Sequence, residues 1–377
     1  MKPCIVIPTY WSTETNPSWK LFDHPTSLSE EGTLRRTLEN LARCRLGIPV
    51  ILFPAPTDDL IEQRVRALSA GLDLDLRVFS RSDLAQVHAA FSQAGFPGDL
   101  LADVNMDGYG AVRNMGLLWA ALQGLDVVIQ IDDDELIEDP DYLPKALEML
   151  GGEIHGKKVW GKTGFYRDAQ DRIVYDGQIA GFKNWPKDEL FNAAVKKDYE
   201  TPGRFASCIE AHGGNMVIHR EMYRRVPYDP YGTRGEDDDY ALNALYLGMQ
   251  YFCDKSLWVR HLPPSRKGAF WTRHRQDIIR FKYLREKARL MKLTTEDLGI
   301  FLGHFTGENL EHLAVSSSID AALRFVDKDR SEFQEFLNNA IVAEQLTRSE
   351  LKTRAEKFLR FAKAWGECLP ALIRCSG

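Results

Sequence analysis

Long apolar runs are missing from this 377-residue sequence. No stretch approaches the roughly 20 residues that cross a membrane. The start, MKPCIVIPTYW, enters a strand-like segment with no leader-like apolar region, so a cytoplasmic protein is expected. Cysteine is scarce as well: Cys4, Cys44, Cys208, Cys253, Cys368 and Cys375 are scattered with no CxxC spacing. Neither a zinc site nor a disulfide framework is expected from that spacing, and a reducing compartment fits. Charge of one sign is lacking too. The net charge of -6 is mild and mixed along the chain, which argues against a nucleic-acid partner. Internal repeats and low-complexity linkers are absent.

Hydrophobic residues make up 44% and charged residues 27%, enough apolar material for a sizeable core. The first half alternates strand-like and helix-like segments. CIVIP (4–8), IPVILFP (48–54), LDLRVFS (74–80) and DVVIQI (126–131) read as strands. Residues 30–44, 58–71, 82–95 and 110–124 read as helices. This alternation predicts parallel pairing through right-handed crossovers, with ligands bound beyond the carboxyl ends of the strands. Residues 8–10, 54–56 and 132–135 then share one rim. From 153 to 218 the strand-like pieces are shorter and aromatic-rich. VWGKTGFYRD and DRIVYDGQIAGF suggest a hairpin, and residues 182–204 a polar, irregular loop. Beyond about 270 amphipathic helices dominate. The expected division is 1–150, 151–270 and 271–377, with homodimerisation through the last, helical part.

Acidic residues are clustered. VIQIDDDE (128–135) ends an apolar strand in Asp132, Asp133, Asp134 and Glu135. One carboxylate suffices to cap a helix, and Pro140 delays the next helix start. Four acids at a strand tip point to a divalent cation held by oxygen, of the magnesium or manganese kind. A second knot, Glu236, Asp237, Asp238 and Asp239, opens a helix in GTRGEDDDYALNALYLG, and helix-dipole stabilisation explains only one or two of them. SLWVRHLPP places His261 at the end of a short strand.

Taken in order, IVIPTY, AVRNMG, VIQIDDDE, GGNMVIHREMY, GEDDDYALNALYLG and WVRH resemble the GT-A glycosyltransferases, their family-2-like and related branches, over residues 3–264. The resemblance implies a GT-A type, Rossmann-like mixed α/β sheet flanked by helices. The helical C-terminal extension lies outside it. It also implies transfer of a sugar from a nucleoside-diphosphate donor with Mn2+ or Mg2+. Carried over, Asp132 contacts ribose or metal, and Asp134 and His261 complete the metal site. Asp133 is the variable middle position beside the donor. Pro8, Thr9 and Tyr10 line the base and ribose, Arg113 faces the nucleotide or its phosphates, and Gly214 and Asn215 approach the donor sugar. VILFPAPTDD departs from the pattern: prolines displace Asp58 and Asp59 from base recognition, leaving donor identity open.

An inverting route needs a carboxylate base, for which Glu236 or Asp237 is placed. His261 leans towards a retaining route, so the stereochemical course stays open. Trp160, Phe165, Tyr166, Tyr175 and Trp185 serve equally as acceptor-stacking or core residues, and Arg266, Lys267, Arg273 and Arg275 as a diphosphate clasp or a solvated patch. The acceptor is a small molecule, a saccharide or a lipid-linked sugar. The rival readings are a sugar-nucleotide nucleotidyltransferase, for which IVIPTYWSTETNP lacks the glycine-rich loop, and a non-catalytic nucleotide-sugar or glycan-binding protein, which would not need both acidic clusters.

Overall fold

The computed structural model describes residues 1–13, 22, 25–174, 184–264 and 269–375, with side chains as far as 372. Its centre is a ten-stranded mixed sheet. Eight strands form the continuous path: β1 (Pro3–Ser12), β2 (Val50–Ala55), β3 (Leu76–Val78), β4 (Val127–Gln130), β5 (Gly161–Arg167), β6 (Phe205–Ser207), β7 (Met216–His219) and β8 (Tyr251–His261). Their spatial order is β6-β8-β5-β7-β4-β1-β2-β3. Two-residue strands, Thr26–Ser27 and Glu135–Leu136, add to β1 and β8.

β1 to β4 pair in parallel, connected by the helices α1 (Leu34–Cys44), α2 (Asp59–Ser69), α3 (Arg81–Gln93) and α4 (Tyr109–Leu122). Alternation sorts their side chains between two buried faces. Cys4, Val6, Ile51, Phe53, Val128, Met216 and Ile218 face one core, and Ile5, Ile7, Leu52, Val127, Ile129 and Val217 the other. α1 starts at Leu34, four residues later than its periodicity suggests, because Gly32 adopts a left-handed conformation (φ 69°) that breaks the run. Asp58 caps α2, accepting from the amides of Leu60 and Ile61, so it serves the helix and not a ligand.

The second half runs mixed. β7 is antiparallel to both β4 and β5, while β8 is parallel to β5. The start of β7 and the ends of β5 and β8 therefore reach the same rim as the tips of β1 and β4. The expected loop over 182–204 is corrected by a helix, α5 (Lys187–Glu200), whose narrow stripe Ala194, Val195 and Asp198 is buried. In the expected hairpin, the amide of Asp168 donates to the Arg172 carbonyl. From Tyr175 on, its second arm lies outside the described residues.

α6 (Glu236–Tyr246) precedes β8. Beyond it come α7 (Phe270–Met291), α8 (Thr295–His304), α9 (Leu310–Leu323), α10 (Arg330–Gln345) and α11 (Arg348–Cys375). These helices build their own apolar cluster around Phe281, Phe301 and Phe305, yet α11 returns to the sheet with Phe361, Trp365 and Leu369. No helix among the described residues is long and apolar enough to cross a membrane.

Candidate active site

The four acids after β4 do not point one way. The Glu135 amide donates to the Asp132 carbonyl, closing a turn that fans the carboxylates apart. Asp132 turns to Arg113, whose Nη2 lies 2.8 Å from its Oδ1. Asp133 turns inward: Thr9 Oγ1 donates to it at 2.5 Å, and Thr33 Oγ1 at 3.5 Å. Both its oxygens are engaged within the protein, so Asp133 braces β1 against the turn. Its expected place beside the donor is corrected accordingly.

Asp134 and Glu135 meet His261 at the end of β8, where Glu135–Leu136 pairs with Arg260 and His261. Each of the three offers a ligand atom, and all lie within 4.8 Å of one another. His261 Nε2 sits 3.5 Å from Asp134 Oδ2, and its ring stacks on Tyr166 at 4.6 Å. The Tyr166 hydroxyl accepts from the Gly214 amide and donates to Glu135. Glu135 Oε2 accepts from the Asp132 amide at 2.9 Å, while its buried Oε1 has no hydrogen bond. Burial, then the charges of Asp132 and Asp134, push the Glu135 carboxyl well above the usual range. Burial disfavours the imidazolium of His261, but the Asp134 carboxylate outweighs it and raises the ring's pKa. Two carboxylates and an imidazole around an orphaned buried oxygen fit a divalent cation, which would offset the repulsion among Asp132, Asp134 and Glu135. The cation-compatible set joins Glu135 to the expected Asp134 and His261, while Asp132 turns to Arg113.

Arg113, on α4, is only 3% exposed and links both acidic clusters, with Nε 3.4 Å from Glu236 Oε1. Each acid of the second knot has its own partner. Asp237 accepts from the Gly213 amide at 3.1 Å, Asp238 pairs with Arg280 at 2.7 Å and Asp239 with Lys287 at 2.7 Å. Burial, then Asp237, raises the Glu236 carboxyl to about 7, with Arg113 working against them.

Residues 213–215 form one 3-10 turn at the start of β7. A Cβ on Gly213 would lie 2.8 Å from Arg113 Nη2, and one on Gly214 2.1 Å from Glu135 Oε1. The glycines are needed because two charged side chains pack on the turn. Asn215, fully buried, accepts from the Tyr142 hydroxyl at 2.8 Å and donates to the Phe165 carbonyl at 3.3 Å. It fastens the turn from within and does not reach the rim, where the donor sugar was expected. Pro8 and Thr9 are buried in β1, and the ring of Tyr10 packs edge-on against Tyr109 at 4.9 Å. Phe165 and Trp185 are core residues, Trp160 stacks on His219 at 4.9 Å, and Arg275 pairs with Glu335. Arg266 and Lys267 lie outside the described residues.

No family model and no curated protein matches the chain. Among solved structures it is similar to a mannosyltransferase from Pyrobaculum calidifontis in complex with GDP-Man and Mn2+. That similarity is 13% identity over 97% of this chain and 86% of the other, with a TM-score of 0.48. It is also similar to glucosyl-3-phosphoglycerate synthase from Mycobacterium tuberculosis in complex with Mg2+ and UDP, at 17% identity over 74% and 79% of the two chains and a TM-score of 0.39. With scores below 0.5, the functional reading rests on this chain's own residues.

Sequence reasoning counted Glu135 among the four acids without giving it a role, and took Tyr166 as an acceptor-stacking or core residue and not as a partner of Glu135. Glu135 directly follows the DDD run, but only the pairing of residues 135–136 with β8 turns it towards His261. Tyr166 carried no signal beyond its aromatic character.

Proposed function

We propose that this protein is a metal-dependent glycosyltransferase that moves a sugar from a nucleoside-diphosphate donor to a hydroxyl acceptor. One observation carries the reading: the cation-compatible set Asp134, Glu135 and His261 lies at the same sheet rim as the Asp132–Arg113–Glu236 chain. Asp134, Glu135 and His261 would hold Mn2+ or Mg2+, which as a Lewis acid stabilises charge on a departing diphosphate. Arg113, buried and fixed between two carboxylates, presents one oriented positive charge to the donor's phosphates at little reorganisation cost. Asp132, its partner, is the more exposed carboxylate and is free to take a ribose hydroxyl. Thr9 and Tyr10 shape the wall beside it. Glu236, with its carboxyl near neutrality, suits the exchange of an acceptor proton. Asp237 holds Gly213 and thereby the turn that covers Glu135.

The test is metal-dependent binding of nucleoside diphosphates, followed by thermal unfolding. UDP or GDP with Mn2+ should stabilise the protein, by about 2.7 kcal/mol at a ligand concentration near 100 times Kd. Asp134→Ala should abolish that gain while unfolding cooperatively by itself. Stabilisation that survives the substitution, or that never needs metal, would overturn the reading.

A further inference from the structure

A second cluster of ligand-type side chains lies away from the rim. Asp198 of α5, Cys208 just after β6 and Cys253 of β8 bring one ligand atom each to within 4.8 Å of the others. All three are buried, at 7%, 4% and 1% exposure. Topology makes the cluster: β6 pairs antiparallel with β8, setting Ala206 opposite Cys253, and the Cys208 amide donates to the Tyr251 carbonyl at 3.2 Å. α5 then lays Asp198 over the pair, with Cys253 Sγ 3.8 Å from Asp198 Oδ2.

An independent observation comes from Glu210. Its carboxylate is buried, its charge acts on all three residues, and its Oε1 has no hydrogen-bond partner. Gly299, at a kink in α8, leaves room beside that oxygen; a Cβ there would stand 3.2 Å away. Asp198 and Glu210 place two buried carboxyl groups beside two thiols, and a shared cation would offset the repulsion between the carboxylates.

We propose that Asp198, Cys208 and Cys253 bind a structural divalent cation of the zinc class, separate from the rim site, with Glu210 as a further buried carboxyl close by. Two sulfurs favour a borderline-soft metal over magnesium or manganese, and the burial of all three ligands suits a structural role. The segment leaving the cluster explains what the cation does. Between Glu210 and the 213–215 turn, the Ala211 amide donates to Asp238, the His212 amide to Thr163 and the Gly213 amide to Asp237. A cation at Cys208 anchors the near end of this segment, and with it the wall that packs on Glu135 and Arg113. The inference stands independently of the transferase reading.

Cobalt substitution tests it on the full-length protein, purified with reductant and stripped by a chelator. Added Co2+ should give a sulfur-to-metal charge-transfer band, which Zn2+ abolishes by displacement. The Asp134–Glu135–His261 set contains no sulfur and cannot produce such a band. Cys208→Ser and Cys253→Ser should each weaken it by half or more and the double substitution should abolish it, whereas His261→Ala should keep it, and Zn2+ should raise the unfolding midpoint of the wild type. No band in the wild type overturns the proposal even if a variant fails to fold. So does a band of undiminished intensity in either serine variant. A Cys208–Cys253 disulfide found in the non-reduced protein, with no zinc uptake after reduction, overturns it in favour of a redox pair.

Discussion

At the scale of single residues, the site depends on space as much as on charge. Gly214 shows this most directly, since a Cβ there would meet the Glu135 carboxylate at 2.1 Å. Glu135 is fully buried and held by the Asp132 amide and Tyr166, so it cannot swing away without leaving His261. Gly214→Ala is therefore expected to weaken Mn2+-dependent nucleotide binding by about tenfold or more, since displacing one ligand group costs upwards of about 1.4 kcal/mol. Titration calorimetry with and without Mn2+ checks it; unchanged affinity would mean that Glu135 lies outside the cation's reach. Asp134, His261 and Glu236 stood out in the sequence because each sits at an element boundary, where packing does not explain a polar residue, whereas Arg113 lies inside α4 and stood out only through the AVRNMG resemblance. Asp133 and Asn215 looked equivalent to them by the same test. Only the structure shows their polar atoms bonded to Thr9 and Tyr142, since the direction of a side chain at a turn is not written in its neighbours' spacing.

At the scale of elements, two buried ionisable sites test how the sheet and the helical layer are each held together. Lys162 of β5 and Asp254 of β8 are both wholly buried and pair at 2.9 Å, with Arg204 also donating to Asp254. Asp254→Ala would leave the Lys162 ammonium with only the carbonyls of Lys145 and Glu148. Urea unfolding should report a loss of about 3–5 kcal/mol, the usual cost of stranding one half of a buried pair. A loss under about 1 kcal/mol would show the pair to be dispensable to the β5–β8 junction. In the helical layer, His274 of α7 lies between Ser317 and Ser318, edge-on to Trp185. Burial lowers its pKa to about 4, with Asp277 opposing and Lys187 assisting. The unfolded chain therefore takes this proton first, and the stability held above pH 6.5 drains away as pH falls towards 4. The loss reaches about 3 kcal/mol for this one group. His274→Gln should flatten that limb of the stability curve, and parallel curves for the two proteins would refute the assignment. The same elements show what periodicity reveals. Strands β1 to β4 and their crossover helices were visible because both sheet faces and the helix stripes are apolar. α5 was not, because KDELFNAAVKKDYE buries a stripe too narrow to stand out from a polar loop.

At the scale of the whole molecule, the boundary expected near residue 270 runs through a buried ionic network. Arg280 and Lys287 of α7 neutralise Asp238 and Asp239 of α6, while Lys287 and the Tyr283 hydroxyl also hold Asp229. α11 adds an apolar seal: Phe361, Trp365 and Leu369 pack into the sheet's first core, and Trp365 Nε1 donates to the Tyr223 carbonyl at 2.8 Å. Sequence pattern could separate a sheet-forming half from a helical one, but it could not show that the helices supply counter-charges to the acids beside Glu236. A fragment of residues 1–269 would strand three carboxylates and expose one face of the sheet. Losing even one partner of a buried pair costs several kcal/mol, against a total stability of about 5–15 kcal/mol. The fragment is expected to lack a cooperative transition and to bind 8-anilinonaphthalene sulfonate, as exposed apolar surface does. The full chain should unfold in one step with coincident near- and far-ultraviolet dichroism. Two separate transitions, or a fragment that melts cooperatively and binds nucleotide with Mn2+, would show that residues 1–269 are a self-sufficient domain. In that case the contacts of α7 with Asp238 and Asp239 would be a docking of two finished units, and not the closure of one.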